Sequence, residues 1–161
     1  MSDLYEKLND MKNGLYIFKM RYGHPLWNDT EAFAENCSWG AGKALAAMMR
    51  ENRFSGNERV FTVRDDDEIV GFCTLTMKDE LPEDSPYSPF VGFVFVEEHA
   101  RGRRISEKLI DKAAEWARYK GFDTLYITSG ETGLYEKYGF ENIGSCQTIY
   151  GTTEQLFARK L

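Results

Sequence analysis

The strongest constraint on the fold lies in the second half of the chain. There a wholly apolar run, Phe90-Val91-Gly92-Phe93-Val94-Phe95-Val96, is followed by a charged turn, a helical repeat and another β-rich run. A strand without polar alternation is buried on both faces, which places it centrally in a sheet. Ile105, Leu109, Ala113, Trp116 and Ala117 then recur at helical spacing, predicting one amphipathic helix over 105–120 that stops at Gly121. Thr124-Leu125-Tyr126-Ile127-Thr128 reads as the next strand. The three elements make a βαβ crossover, normally right-handed, whose ligand site falls at the strand C-terminal ends. Gly92 inside the apolar run marks a bulge or a place of close approach to the backbone.

The remaining elements alternate around this unit. Leu4–Met11 has helical spacing, and Leu15–Arg21 reads as a first strand. After Pro25, Asp29 or Thr30 can cap a helix carrying Phe33, Ala34 and Cys37, and a second helix is predicted from Gly42 to Glu51. These two helices can border a substrate groove, although their Met and aromatic residues read first as core. Arg59–Val63 and Ile69–Met77 form an antiparallel hairpin around a solvated acidic turn. A short helix is expected over Thr132–Tyr138, closed by Gly139. A terminal hairpin, Glu141–Ile149 with Thr153–Lys160, turns at Gly151. The result is an α/β (α+β) fold, a mixed sheet with helices on both faces, in a single domain spanning 1–161.

Charge and composition narrow the function. With 26 acidic against 20 basic side chains the formal net charge is −6, which disfavours a general nucleic-acid or anionic-membrane surface. No apolar run approaches the roughly 20 residues that span a bilayer, and the first residues lack a secretion pattern, so a cytoplasmic location is expected. The three cysteines are scattered, and neither His24 nor His99 has a ligand-spaced neighbour, so no metal site is expected.

Against that acidic background the turn Arg101-Gly102-Arg103-Arg104 is a local exception. The free N–H groups of a helix's first turn, its positive dipole end and adjacent guanidiniums all attract a polyanion, and a pyrophosphate would bridge them. The same turn also reads as a solvated connection. The loop Lys78–Pro89 is of the opposite kind, stiffened by three prolines and crowded with four carboxylates, and it is the expected substrate-facing loop.

Arg101-Gly102-Arg103-Arg104-Ile105-Ser106, followed some thirty residues on by Leu134-Tyr135-Glu136-Lys137-Tyr138-Gly139-Phe140, resembles the GNAT superfamily of acyl-CoA-dependent N-acetyltransferases. The family's first motif is commonly Arg or Gln, two residues, Gly, one residue, then Gly or Ala. Arg101 matches, while Arg104 and Ser106 replace the small residues. The second motif, Tyr, three residues and Gly-Phe, is intact. The resemblance implies a mostly antiparallel twisted sheet with a central parallel strand pair, and acetyl-CoA as co-substrate in the gap between those two strands.

It further implies that main-chain groups of Phe95 and Val96 bond the pantetheine, and that Arg101, Gly102, Arg103, Arg104, Ile105 and Ser106 hold the pyrophosphate. Tyr135 matches the family's general acid. Relatives often place a carboxylate base on the central strand, and this one has none, so Asp79 or Glu80 from the preceding loop become the candidates, with Glu83 and Asp84 behind them. The loop's acidity favours a cationic acceptor, an amine on a small molecule or a peptide end. Dimers are common in the family, so a homodimer is one expectation, though no stripe here marks an interface. Two other readings stand beside the transferase: a non-catalytic acyl-CoA sensor, and a protein-interaction domain on the same scaffold.

Overall fold

The computed structural model describes residues 14–161. The helix expected at Leu4–Met11 lies outside the described residues. Along the chain come β1 (Leu15–Met20), α1 (Trp27–Asn36), α2 (Ala41–Arg50), β2 (Arg59–Asp65), β3 (Glu68–Thr76), β4 (Phe90–Val96), α3 (Ile105–Tyr119), β5 (Thr124–Ser129), β6 (Glu141–Gln147) and β7 (Thr153–Lys160). The strands form one sheet in the order β1-β2-β3-β4-β5-β7-β6. Every neighbouring pair is antiparallel except β4 and β5, which are parallel and joined by the α3 crossover.

Period-two alternation along each strand sends neighbouring residues to opposite faces. Cys73 and Val91 meet the buried stripe of α3, built by Ile105, Leu109, Ile110 and Ala113. Phe72 and Phe95 face the other way, into a second core with Trp27 and Ala34 of α1 and Leu45 and Met49 of α2. Leu109 is fully buried, so Leu109→Ala would cost about 2–5 kcal/mol through lost transfer energy and the cavity left behind.

Several boundaries depart from the sequence reading. Helix α1 begins at Trp27, ahead of both expected caps, with Leu26 in the capping position and no side-chain cap among the described residues; the His24 ring Nδ1 accepts the Leu26 N–H at 3.0 Å. Thr30 turns its hydroxyl back onto the Leu26 carbonyl at 2.8 Å. The helix expected over 132–138 contracts to a 3₁₀ turn at Tyr135–Tyr138, ended by Gly139 at φ +88°. The acidic β2–β3 turn is only partly solvated, since Asp65 accepts Arg103 Nη1 at 2.7 Å. Among the described residues no helix is long and apolar enough to cross a membrane.

Candidate functional site

The site originates in a defect of the central strand. Phe72 pairs with Phe95 and Thr74 with Gly92, so Phe93 and Val94 together oppose Cys73. This is a β-bulge, and Phe93 takes φ +48° within it. A left-handed conformation costs a bulky residue about 1–2 kcal/mol, so tertiary packing must hold it there. Trp39, on the α1–α2 connection, supplies part of that packing by lying edge-on to Phe93 and stacked on Phe95, 5.9 Å away and 10° from parallel.

The bulge bends β4 away from β5. The two strands pair only at Phe90 and Tyr126, where the Tyr126 N–H donates to the Pro89 carbonyl at 3.0 Å. Strand β5 meanwhile stays paired with β7 along its whole length. A cleft of about 610 Å³ opens between the diverging strands, lined by Phe93 and Phe95 on one side, Ile127 and Thr128 on the other, and closed by Trp39 and Tyr135.

Backbone alternation decides what β4 offers to this cleft. The Glu97 N–H donates to the Val70 carbonyl at 2.7 Å, and Phe72 pairs with Phe95. The polar groups of Phe95 therefore belong to the β3 ladder, and those of Val96 face the open edge, where its carbonyl accepts Arg101 Nε at 3.0 Å. Val94 shares that edge by the same alternation. Sequence reasoning missed it, because an all-apolar strand hides its phase.

At the Arg101 end of the cleft the chain makes a tight arginine turn into α3. Gly102 sits at φ +87°, and Arg104 takes the helix-capping position at φ +58°, also left-handed. Among the described residues no side chain caps α3, and its first amides precede the Lys108 N–H bond to the Arg104 carbonyl. The guanidiniums are engaged elsewhere: Arg103 with Asp65, Arg104 with Glu107, Arg101 with the Val96 carbonyl. Of the three, Arg101 lines the cleft. Ile105 is buried, and the Ser106 hydroxyl meets the Tyr138 hydroxyl at 2.8 Å, tying the two motifs together.

The opposite end is acidic. Asp79 is drawn into the cleft wall, where Thr128 Oγ1 donates to its Oδ2 at 3.0 Å. Burial pushes its carboxyl above the usual range, against the lowering effect of bonds from Thr128 and the Glu80 amide. Glu80, exposed at the rim, is raised by desolvation and by the neighbouring Asp79 and Glu154 charges. Glu131 and Glu154 also line the cleft, while Glu83 and Asp84 stand exposed away from it. Nothing local in the sequence marks Glu154, since the insertion of β7 between β5 and β6 brings it there. Tyr135 is 9% exposed, and burial keeps its phenol above its ordinary pKa against a Ser129 hydrogen bond.

A mostly antiparallel sheet parted at its one parallel pair, with a cleft between the diverging strands that runs from Arg101 to the Asp79 carboxylate and the Tyr135 phenol, defines one class of α/β fold. The family model for the Acetyltransferase (GNAT) family matches residues 20–140, and the chain belongs to that family. Among solved structures, it is similar to an aminoglycoside 6'-acetyltransferase type Ii at TM-score 0.68 and 19% identity, covering 90% of this chain and 96% of that one. A GNAT family acetyltransferase from Elizabethkingia anophelis with acetyl-CoA bound gives 0.62 and 18%, covering 92% and 99%. An aminoglycoside 6'-N-acetyltransferase complexed with coenzyme A gives 0.66 and 17%, covering 90% and 96%. At these identities the likeness speaks for the fold. No curated protein sequence matches the chain significantly.

Proposed function

We propose that the protein transfers the acetyl group of acetyl-CoA directly to a primary amine of a cationic small molecule or peptide end. The observation that carries this reading is the continuity of the cleft. It runs from Arg101, on the turn that leads into α3, along Val91 to Phe95 of β4 and on to Tyr135 and Asp79. The residues present fit the co-substrate: diphosphate against the amides of Gly102 to Ser106, with Arg101 adding a charge-assisted bond, and pantetheine beside Val94 and Val96 as a strand is added to a free edge. Neighbours with acetyl-CoA and coenzyme A bound support the same choice.

Tyr135 serves as the acid that protonates the departing thiolate, and its burial keeps the phenol protonated until then. A main-chain N–H of β4 near Val96 stabilises the developing oxyanion. Asp79 and Glu80 both line the acceptor end, and one of these two carboxylates takes a proton from the amine. With Glu131 and Glu154 they give the acceptor end a negative field that attracts a cation.

The test is a panel of amines incubated with acetyl-CoA while free thiol is measured. Thiol release that depends on one class of cationic amine, with mass gain of 42 daltons on the acceptor (about one acetyl replacing a hydrogen), is expected. Tight coenzyme A binding without thiol release from any amine would instead favour an acyl-CoA sensor. A lack of thermal stabilisation by coenzyme A, which should reach about 2.7 kcal/mol at a hundredfold excess over Kd, would contradict both.

A further inference from the structure

The central strand carries no titratable side chain, yet a carboxylate occupies the space beside it. A side chain added at Gly92 would place its Cβ 2.9 Å from Asp79 Oδ1 and 3.5 Å from Thr74 Oγ1. Gly92 is thus a notch in β4, and the Asp79 carboxylate fills it from the loop that leaves β3. The other carboxylate oxygen is fixed across the splay by Thr128 of β5. Asp79 itself stands at φ +51°, a left-handed conformation that turns its side chain inward. Thr74, fully buried on β3 and facing the same notch, has a hydroxyl oxygen with no partner among the described residues. The carboxylate is held between two strands, β4 at the Gly92 notch and β5 through Thr128.

We propose that Asp79, seated in the Gly92 notch and held by Thr128, is the catalytic base of the acetyl transfer, and that Glu80 is not. This rests on the transferase reading above. Glu80 lies in the same cleft but is exposed at the rim and has its main chain, rather than its carboxylate, anchored, through the Ile149 N–H bond to its carbonyl at 2.8 Å. In the reaction Asp79 takes one proton from the ammonium form of the acceptor, which frees the nitrogen lone pair. That pair forms the N–C bond to the acetyl carbon as the C–S bond breaks, and the sulfur leaves with the bonding electrons and takes the Tyr135 proton. The second proton shed by nitrogen restores Tyr135, and Asp79 releases its own to water. The titratable and charged groups that face Asp79 are Glu80 on its own loop, Cys146 of β6 and Glu154 of β7, with Glu131, Tyr135 and Arg101 around the same cleft. Burial favours the proton, against the bonds from Thr128 and the Glu80 amide, which suits a proton acceptor.

The experiment is steady-state kinetics of Asp79→Asn, Glu80→Gln and Gly92→Ala on the amine that gives thiol release, across pH 5 to 9. Asp79→Asn preserves shape and the Thr128 contact, so kcat should fall about 100-fold with KM for acetyl-CoA within twofold, and the carboxylate inflection of kcat/KM should vanish. Gly92→Ala should lower kcat in the same direction by displacing the carboxylate, with little added effect in the Asp79→Asn background. Glu80→Gln should stay within about fivefold. Wild-type turnover with an Asp79→Asn variant that keeps kcat within threefold and an unchanged pH profile overturns the assignment alone. A large loss in Glu80→Gln beside an active Asp79→Asn does so as well. Absence of wild-type turnover with every amine retires this assignment together with the transferase reading.

Discussion

The two ends of the cleft carry opposite charge and use it in different ways. At the α3 end three arginines are packed into four positions, but each guanidinium already has a partner: Asp65, Glu107 or the Val96 carbonyl. These bonds shape the turn, and in the proposed reading the amides it presents bind the anion. At the Asp79 end the relation is reversed: the partly buried Asp79 carboxylate and the buried Tyr135 phenol line the cleft, and in the proposed reaction the side chains themselves meet the reacting atoms. A charged segment in a sequence can therefore be either a frame for main-chain chemistry or the chemistry itself. Burial and pairing decide which.

Separating the two ends by mutation gives the largest expected effect at Tyr135. Tyr135→Phe should lower kcat by roughly 10²-fold or more while coenzyme A affinity, measured by calorimetry, stays within twofold. Parallel loss of affinity would break the division of labour. Next comes the arginine turn. Reversing Arg103 and Arg104 together to Glu should weaken coenzyme A binding more than tenfold, by facing a diphosphate with two new carboxylates. Arg103→Ala or Arg104→Ala alone should change it about threefold or less, because each guanidinium is engaged with a carboxylate and neither lines the cleft. A tenfold loss in either single variant would show that the guanidiniums, not the amides, grip the ligand.

Smaller effects sharpen the contrast through stability. A carboxyl whose folded pKa is raised binds its proton more tightly when folded. Wild-type stability thus falls as pH rises from about 3.9, the unfolded value, through the higher folded value. Asp79→Asn should then have a higher Tm than wild type at pH 7, and the difference should disappear below pH 4. Thermal melts at the two pH values check this, and a lower Tm at pH 7 would mean that Asp79 serves the fold rather than the reaction. Smallest of all, Arg104→Gly relieves a left-handed residue while giving up an exposed ion pair. It should raise Tm by about 1–2 °C and leave coenzyme A affinity within twofold.

Much of the frame was legible in the sequence. The unbroken apolar run announced β4 as central, and the helical stripe from Ile105 placed α3 within a residue of its observed end, since burial on both faces and on one stripe leave distinct patterns. The features that make the site were not. The bulge at Phe93 leaves no mark in a run where every position is apolar, and its left-handed φ opposes the residue's own preference. Arg103 and Asp65 are 38 positions apart, so local charge counting showed an arginine cluster without its partner. Glu154 reaches the cleft only because β7 pairs beside β5. Such long-range pairing is set by tertiary structure.

Titration of the ¹⁵N-labelled protein with coenzyme A, followed through its amide resonances, tests the central claim most directly. The largest shifts should fall on Gly102 through Ser106, with a second set at Val94 and Val96. Shifts that gather away from the β4–α3 turn, or a spectrum that does not change, would contradict it.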